Sequence, residues 1–242
     1  MVSDISDNSS ALTLYLALKS QRILPTMVHS LRLQRPQLLT EMAFERIREA
    51  IVRGDLKLGE QVSEAQLAQG MGVSKTPVRE ALVRLKVEGL VEIQPQRGTF
   101  VFRLEPDQVG HLCRYRAMVE VQALRESAAA EPRKLVREMT RRMREMRRAE
   151  AEADLQALAR IDMDFHWQFF AFCPNSFVCG AYELIRFQLM ALRSRSPIAN
   201  AVASHQVLVD AVGGGDIESA CQLLRGHVLE NEPRYRAACS ME

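Results

Sequence analysis

Apolar residues fall into a helical rhythm from Leu39 onward. Ala43, Ile47, Ala50 and Ile51 share one helix face, and Gly54 supplies the C-terminal stop. The stretch DLKLGEQVS that follows keeps no such period and reads as a turn. Ser63 then opens SEAQ, a capping-box pattern with Gln66 at its third position, and Gly70 and Gly72 keep this second helix short. In GVSKTPVREAL (72–82), Thr76 is placed to cap and Pro77 takes the first helical position, where its missing N–H costs nothing. Val78, Ala81, Leu82 and Leu85 make an i, i+3, i+4, i+7 stripe that ends at Gly89. LVEI and TFVF are two β-type runs joined by QPQRG, a small hairpin with glycine near its tip. Three helices and a hairpin, with a tight turn between helices two and three, predict a winged helix-turn-helix.

Beyond Pro106 the pattern holds no strand signal. Helices are predicted over 107–130, 132–149, 154–173, 176–193, 199–212 and 216–238, punctuated by Pro106, Pro132, Pro174, Pro197 and the GGG run at 213–215. The expected fold is mainly α: an N-terminal winged helix-turn-helix over 38–103, then an all-helical bundle over 106–238 large enough to hold a cavity. Residues 1–37 read as a leader that Pro36 ends. Its apolar stretch ALTLYLALKS (11–20) follows Asp4 and Asp7 rather than a basic segment. An amphipathic or disordered extension is therefore expected there, not a signal peptide.

Composition narrows the classes further. No apolar run approaches membrane length. The net charge is only +2, so any nucleic-acid surface has to come from local arrangement. Five cysteines, at 113, 173, 179, 221 and 239, include no CxxC pair, which argues for reduced thiols and a cytoplasmic protein. The run RKLVREMTRRMREMRR (133–148) carries eight positive and two negative side chains. Leu135, Met139, Met143 and Met146 give it an apolar stripe, so the expectation is a surface helix with a solvated basic face rather than a nucleic-acid contact.

The helix beginning near Pro77 differs. Its free N–H groups and positive dipole end face outward between Lys75 and Arg79, with hydroxyls at Ser74 and Thr76. A recognition helix uses its first turn in this way, reaching base edges while neighbouring groups hold phosphate. Arg79 is the best candidate for a bidentate guanine contact, and Lys75 and Thr76 for phosphate or a base edge. Arg97, beside Gly98 at the hairpin tip, is placed for backbone or minor groove.

Residues 39–103, carried by AIVRGDLKLGEQVSEAQLAQGMGVSKTPVREALVRLKVEGLVEIQPQRGTFV (50–101), resemble the DNA-binding domain of the GntR family of bacterial transcriptional regulators. The resemblance implies operator contacts by Ser74, Lys75, Thr76 and Arg79. Lys75 stands where that family usually carries arginine, and Ala65 where arginine is common.

The second half sets polar residues on or beside core stripes. Asp162 and His166 lie four apart beside Leu155, Leu158, Phe165 and Phe169. His205 begins a face with Leu208, Val209 and Val212, and His227 borders Ile217, Ala220, Cys221, Leu224 and Val228. A shared divalent ion, zinc or nickel foremost, satisfies all four residues. The alternative is an Asp162–His166 hydrogen bond plus two unrelated core histidines. Arg116 falls on the stripe of Val109, Leu112, Val119 and Ala123, and a buried guanidinium needs an anion. Either Glu120, one turn on, or a ligand carboxylate supplies it.

The segments RYRAMVE (114–120), DMDFH (162–166), SHQVLVDAVGGGD (204–216) and RGH (225–227) resemble the FCD effector domain of the FadR-type branch of that family. The resemblance implies metal ligands at Asp162, His166, His205 and His227. It also implies an effector-facing Arg116 and an Asn175 that caps the next helix.

The expected protein is therefore a ligand-responsive repressor, not an enzyme, with no catalytic residues. It would bind double-stranded operator DNA as a homodimer joined through the helical domains, and a small carboxylate effector would alter operator affinity. The linker near Arg103–Pro106 is where coupling is expected to pass. The alternatives are a metal-dependent hydrolase fused to a DNA-tethering domain, or a constitutive DNA-binding dimer.

Overall fold

Each predicted helix forms around its apolar stripe, and the boundaries move where capping chemistry was misjudged. The computed structural model describes residues 37–196 and 200–240; residues 1–36, most of the expected leader, and Pro197 lie outside them. Helix α1 (Gln37–Arg53), strand β1 (Gln61–Val62), α2 (Glu64–Met71), α3 (Lys75–Val87), β2 (Val91–Gln94) and β3 (Gly98–Val101) make the winged helix-turn-helix. Phe44, Ile47, Ile51, Val78, Leu82, Leu85, Leu90 and Val101 are buried in its core. Ser63 caps α2 by accepting from Gln66 N at 3.5 Å.

Helix α3 starts earlier than expected. Ser74 holds the N-cap position, so Pro77 is the third helical residue and Thr76 the second. All three first-turn N–H groups lack a helical partner, so proline is as harmless at the third position as at the first. The wing also gains a strand. Within the turn DLKLGEQVS, Gln61 pairs with Phe100 and Val62 with Thr99, giving a three-stranded antiparallel sheet in the order β1-β3-β2. A two-residue strand carries no readable alternation.

The second half is helical: α4 (Pro106–Ala130), α5 (Pro132–Ala151), α6 (Leu155–Ala171), α7 (Ser176–Ser194), α8 (Ala201–Gly213), α9 (Ile217–Leu229) and α10 (Glu232–Ser240). The single helix expected over 216–238 is two. Asn231 donates from its side chain to His227 O at 2.9 Å and accepts Tyr235 N at 3.0 Å. Pro233, at the second position of α10, has no N–H to continue α9 but fits a new first turn. Helix α4 is the hub and packs on α6, α7, α9 and α10. Leu135, Met139, Met143 and Met146 of α5 are buried, while Arg137, Arg141 and Arg148 stay outside and pair with Glu138 and Glu152. Leu155 departs from its stripe: it opens α6 next to the Asp154 cap and is 55% exposed. Asn175 caps α7, accepting from Phe177 N and Val178 N at 3.1 and 3.3 Å.

All five cysteines are free thiols. Among the described residues, no helix is long and apolar enough to cross a membrane.

Leu82 is 1% exposed at the centre of the winged-helix core. Leu82→Ala should destabilise the protein by about 2–5 kcal/mol through lost burial and a residual cavity. Chemical denaturation followed by circular dichroism measures it, and a change under about 0.5 kcal/mol contradicts this packing.

Candidate functional site

Asp162 and His166 come from α6, His205 from α8 and His227 from α9, and their four ligand atoms lie within 4.8 Å of one another. The neighbouring hydrogen bonds decide which ring nitrogens face inward. His166 Nδ1 sits 2.7 Å from Glu120 Oε2, and His205 Nδ1 sits 2.7 Å from Ala201 O. A carboxylate and a carbonyl oxygen only accept, so each Nδ1 carries the proton and donates. Both Nε2 atoms are then lone pairs, and they face each other at 3.4 Å. Asp162 Oδ1 lies 3.1 Å from His205 Nε2, is buried, and has no hydrogen-bond donor.

Three lone-pair atoms thus converge: Nε2 of His166, Nε2 of His205 and Oδ1 of Asp162. Two atoms each about 2.1 Å from one ion lie about 3.0 Å apart at a right angle and about 3.4 Å apart at the tetrahedral angle. The observed separations of 3.1 and 3.4 Å match that spacing. The residues fit a divalent ion, and the four expected ligand positions are brought together.

Two ion pairs surround this cluster: Arg116–Glu120, one helical turn apart as the spacing suggested, and Arg193–Asp162, which no local spacing reveals. Arg193 Nε lies 2.8 Å from Asp162 Oδ2, close in charge though misaligned for a hydrogen bond. Glu120 bridges His166 and Arg116, whose Nε is 2.6 Å from Glu120 Oε1. Arg116 also donates from Nη1 to the Tyr235 hydroxyl at 3.0 Å. Glu120 is therefore the anion that Arg116 needed. Yet Arg116 Nη2 remains unpartnered, as do Arg193 Nη2 and the Tyr182 hydroxyl. Sequence reasoning missed Arg193, Glu120's second contact, Tyr182 and Tyr235. The signal available for Arg193 was a second arginine on an apolar helix face, with Leu189 and Leu192 buried beside it.

Burial is the largest influence on the Asp162 carboxyl and pushes it up, but Arg193 and the two neighbouring histidines together outweigh it and hold the group well below the usual carboxylate range. Burial likewise opposes ionised Glu120, and Arg116 and His166 together overcome it and hold it below its ordinary value. Burial holds His166 below its ordinary value despite Glu120, and holds His227 well below with help from His205 and His166.

At the other end of the chain, Ser74, Lys75, Thr76 and Arg79 are exposed around the first turns of α3, and Arg97 is exposed at the hairpin tip. Gly98 beside it has φ +120°, a backbone that favours glycine. Arg79 is not idle: Nε and Nη2 donate to Glu64 at 3.1 and 2.9 Å. It must leave Glu64 to reach a base.

Residues 39–101 match the family described as bacterial regulatory proteins, gntR family, and residues 111–230 match the FCD domain. An uncharacterized HTH-type transcriptional regulator of Streptomyces ambofaciens is 31% identical over 200 residues, 79% of this chain and 84% of that protein. The chain belongs to the GntR family of transcriptional regulators. It is a DNA-binding regulator with an FCD domain, and its relatives are regulators rather than enzymes, which sets the hydrolase alternative aside. A protein of Paenarthrobacter nicotinovorans named "Probable D-xylose utilization operon transcriptional repressor" is 29% identical over 187 residues, 76% of this chain and 82% of that one. A GntR regulator from Rhodococcus sp. RHA1 shares the fold with a TM-score of 0.69 at 21% identity, over 82% of this chain and 97% of that one. McbR/YncC of E. coli does so with 0.67 at 20% identity, over 80% and 94%.

The histidine shifts set an acid limit for the ion-free regulator. An unfolded histidine titrates near 6.5. Below that pH the unfolded chain takes up protons at His166 and His227 that the folded chain refuses, so stability is present above about 6.5 and lost as pH falls. The melting temperature in chelator should drop between pH 7.5 and 5.5, and less steeply in His227→Gln. Equal slopes in the two proteins contradict the assignment.

Proposed function

We propose that this regulator is a repressor whose operator affinity responds to a small carboxylate at a divalent-metal centre formed by Asp162, His166, His205 and His227. The observation that carries the reading is the convergence of three buried lone-pair atoms with no donor among them. A divalent ion bound there supplies a Lewis-acidic anchor for an anion. Glu120 and the Ala201 carbonyl hold the two imidazoles in the tautomer that presents Nε2.

Charge bookkeeping favours an anionic ligand. Arg116 and Glu120 cancel, and so do Arg193 and Asp162, leaving the buried cluster neutral when all four are ionised. A divalent ion then adds two positive charges in a low-dielectric site, which an anion offsets. The free Nη2 atoms of Arg116 and Arg193 are donors without acceptors, and Arg116 is the residue we assign to the effector.

On the DNA side, Arg79 reads a base edge, while Lys75, Ser74 and Thr76 hold phosphate or neighbouring edges. Arg97 and Gly98 approach the backbone at the wing. Two chains pair through the helical domains so that two α3 helices meet half-sites related by the dimer axis. Operator binding places the protein in the cytoplasm. The repressor sign follows the names of relatives such as the Paenarthrobacter protein.

The test is operator binding on DNA selected from a random pool, titrated with small carboxylic acids in the presence of Zn²⁺ or Ni²⁺ and repeated after chelation. One acid should release DNA, and chelation should abolish the release. Tight binding that ignores every acid, with or without metal, points instead to a constitutive dimer. Arg79→Ala should weaken operator binding by about 1–3 kcal/mol and relax preference at one base pair.

A further inference from the structure

Helix α7 reaches both halves of the molecule within three consecutive residues. Arg193 turns inward, fully buried, with Nε 2.8 Å from Asp162 Oδ2. The next two residues turn toward the winged helix. Ser194 donates its hydroxyl to Val52 O. Arg195 donates from Nη2 to Ile51 O at 2.9 Å and Leu56 O at 2.8 Å, while its Nη1 holds Ala191 O of its own helix at 2.7 Å. Ile51 and Val52 lie in the last turn of α1, whose carbonyls carry the negative end of the helix dipole; Ile51 O also accepts from Gly54 N at 3.3 Å. A guanidinium suits that end, and burial lowers the Arg195 pKa against the opposing pull of Cys239 and Asp55.

The same helix grips the far end of the recognition helix. Gln188 Nε2 donates to Gly89 O at 2.8 Å, just beyond α3. Gly89 has φ +69°, and a Cβ there would stand 2.7 Å from Gln188 Nε2. The positive φ favours glycine, and a Cβ there would push the Gln188 amide aside. The Arg48 guanidinium of α1 covers the Phe187 ring at 4.1 Å. So α7 touches the C-terminal ends of α1 and α3 together, and Arg193 is anchored in the polar cluster less than a turn from Arg195.

We propose that α7 transmits the state of the Asp162 cluster to the winged helix, with Arg193 as its inner anchor and Arg195 as its latch. The proposal rests on the reading of that cluster as the ligand-responsive centre. A divalent ion held by Asp162 Oδ1 would draw carboxylate charge away from Oδ2, which Arg193 Nε faces at 2.8 Å. The contact that anchors the last turn of α7 would then be weakened. Because a helical turn moves as a unit, a shift at residue 193 displaces Ser194 and Arg195 from the three α1-side carbonyls. The covalent linker near Arg103–Pro106 constrains where the winged helix sits; α7 adds a non-covalent hold that a ligand can loosen.

The experiment uses the full chain, with Zn²⁺ as the probe, in wild type and Arg195→Gln. Three quantities are read: Zn²⁺ affinity by calorimetry, operator affinity with Zn²⁺ and with chelator, and backbone hydrogen exchange over residues 48–58. In wild type, Zn²⁺ should shift operator affinity by about fivefold or more and change exchange over 48–58. Arg195→Gln should bind Zn²⁺ within about twofold of wild type and lose both responses. A variant that keeps the full Zn²⁺-linked shift overturns the latch. If Arg195→Gln fails to fold, the double variant Ser194→Ala/Gln188→Ala takes its place with the same expected and opposing results. If wild type binds no Zn²⁺, the metal reading fails separately. Asp162→Asn, which weakens the Arg193 pair without any ion, then tests the latch alone: raised exchange over 48–58 supports it, and unchanged exchange overturns it.

Discussion

Burial of four ionised side chains in a helical core is the constraint on which the second half of this regulator depends. Arg116, Glu120, Asp162 and Arg193 are each 2% exposed or less. Desolvating one such ion costs several kcal/mol, recovered only by a well-placed partner. The partners sit on different helices, so their pairing dictates helix placement. Glu120 ties α4 to α6 through His166, Asp162 ties α6 to α7 through Arg193, and Arg116 ties α4 to α10 through Tyr235. Well-packed apolar residues would give equal or greater stability at these positions. On the proposed reading, stability tolerates the polar cluster for the sake of binding.

That constraint reaches the winged helix through stiffness. One apolar core runs through both domains, and the junction between them adds directed bonds from α7 to backbone carbonyls. Backbone acceptors at helix ends cannot swing aside as a side chain can. A hold made to them transmits small displacements that a contact between flexible side chains would absorb. The exposed pair Arg79–Glu64 is of the opposite kind: solvent screens it and little energy resists its exchange for a phosphate or a base.

The stripes were legible because burial imposes a 3.6-residue period. Ile47, Leu82, Leu85, Met139, Met143, Phe165 and Leu208 all face the core as their spacing predicts. The four candidate ligands were legible for the complementary reason, as polar types on or beside apolar faces. What stayed hidden depends on pairing across the chain or on competing caps. Glu120 meets His166 across 46 residues, and Arg193 meets Asp162 across 31; no local pattern encodes either distance. Strand β1 exists because β3 lies beside it. The break at Asn231 required weighing Pro233 against an unbroken apolar stripe, and the start of α3 required choosing Ser74 over Thr76 when either type can cap.

Arg116 shows why two readings of one residue need not compete. A guanidinium has five N–H donors in a fixed fork. Glu120 takes Nε and Tyr235 takes Nη1, which neutralises the charge and locks the side chain's direction. Nη2 is left aimed and unpartnered. Lysine in its place would turn its donors freely and could not commit one edge while presenting another. On the proposed assignment, an arginine held on two sides would meet a ligand with little further ordering to lose, so structural pairing would prepare the group for binding instead of consuming it.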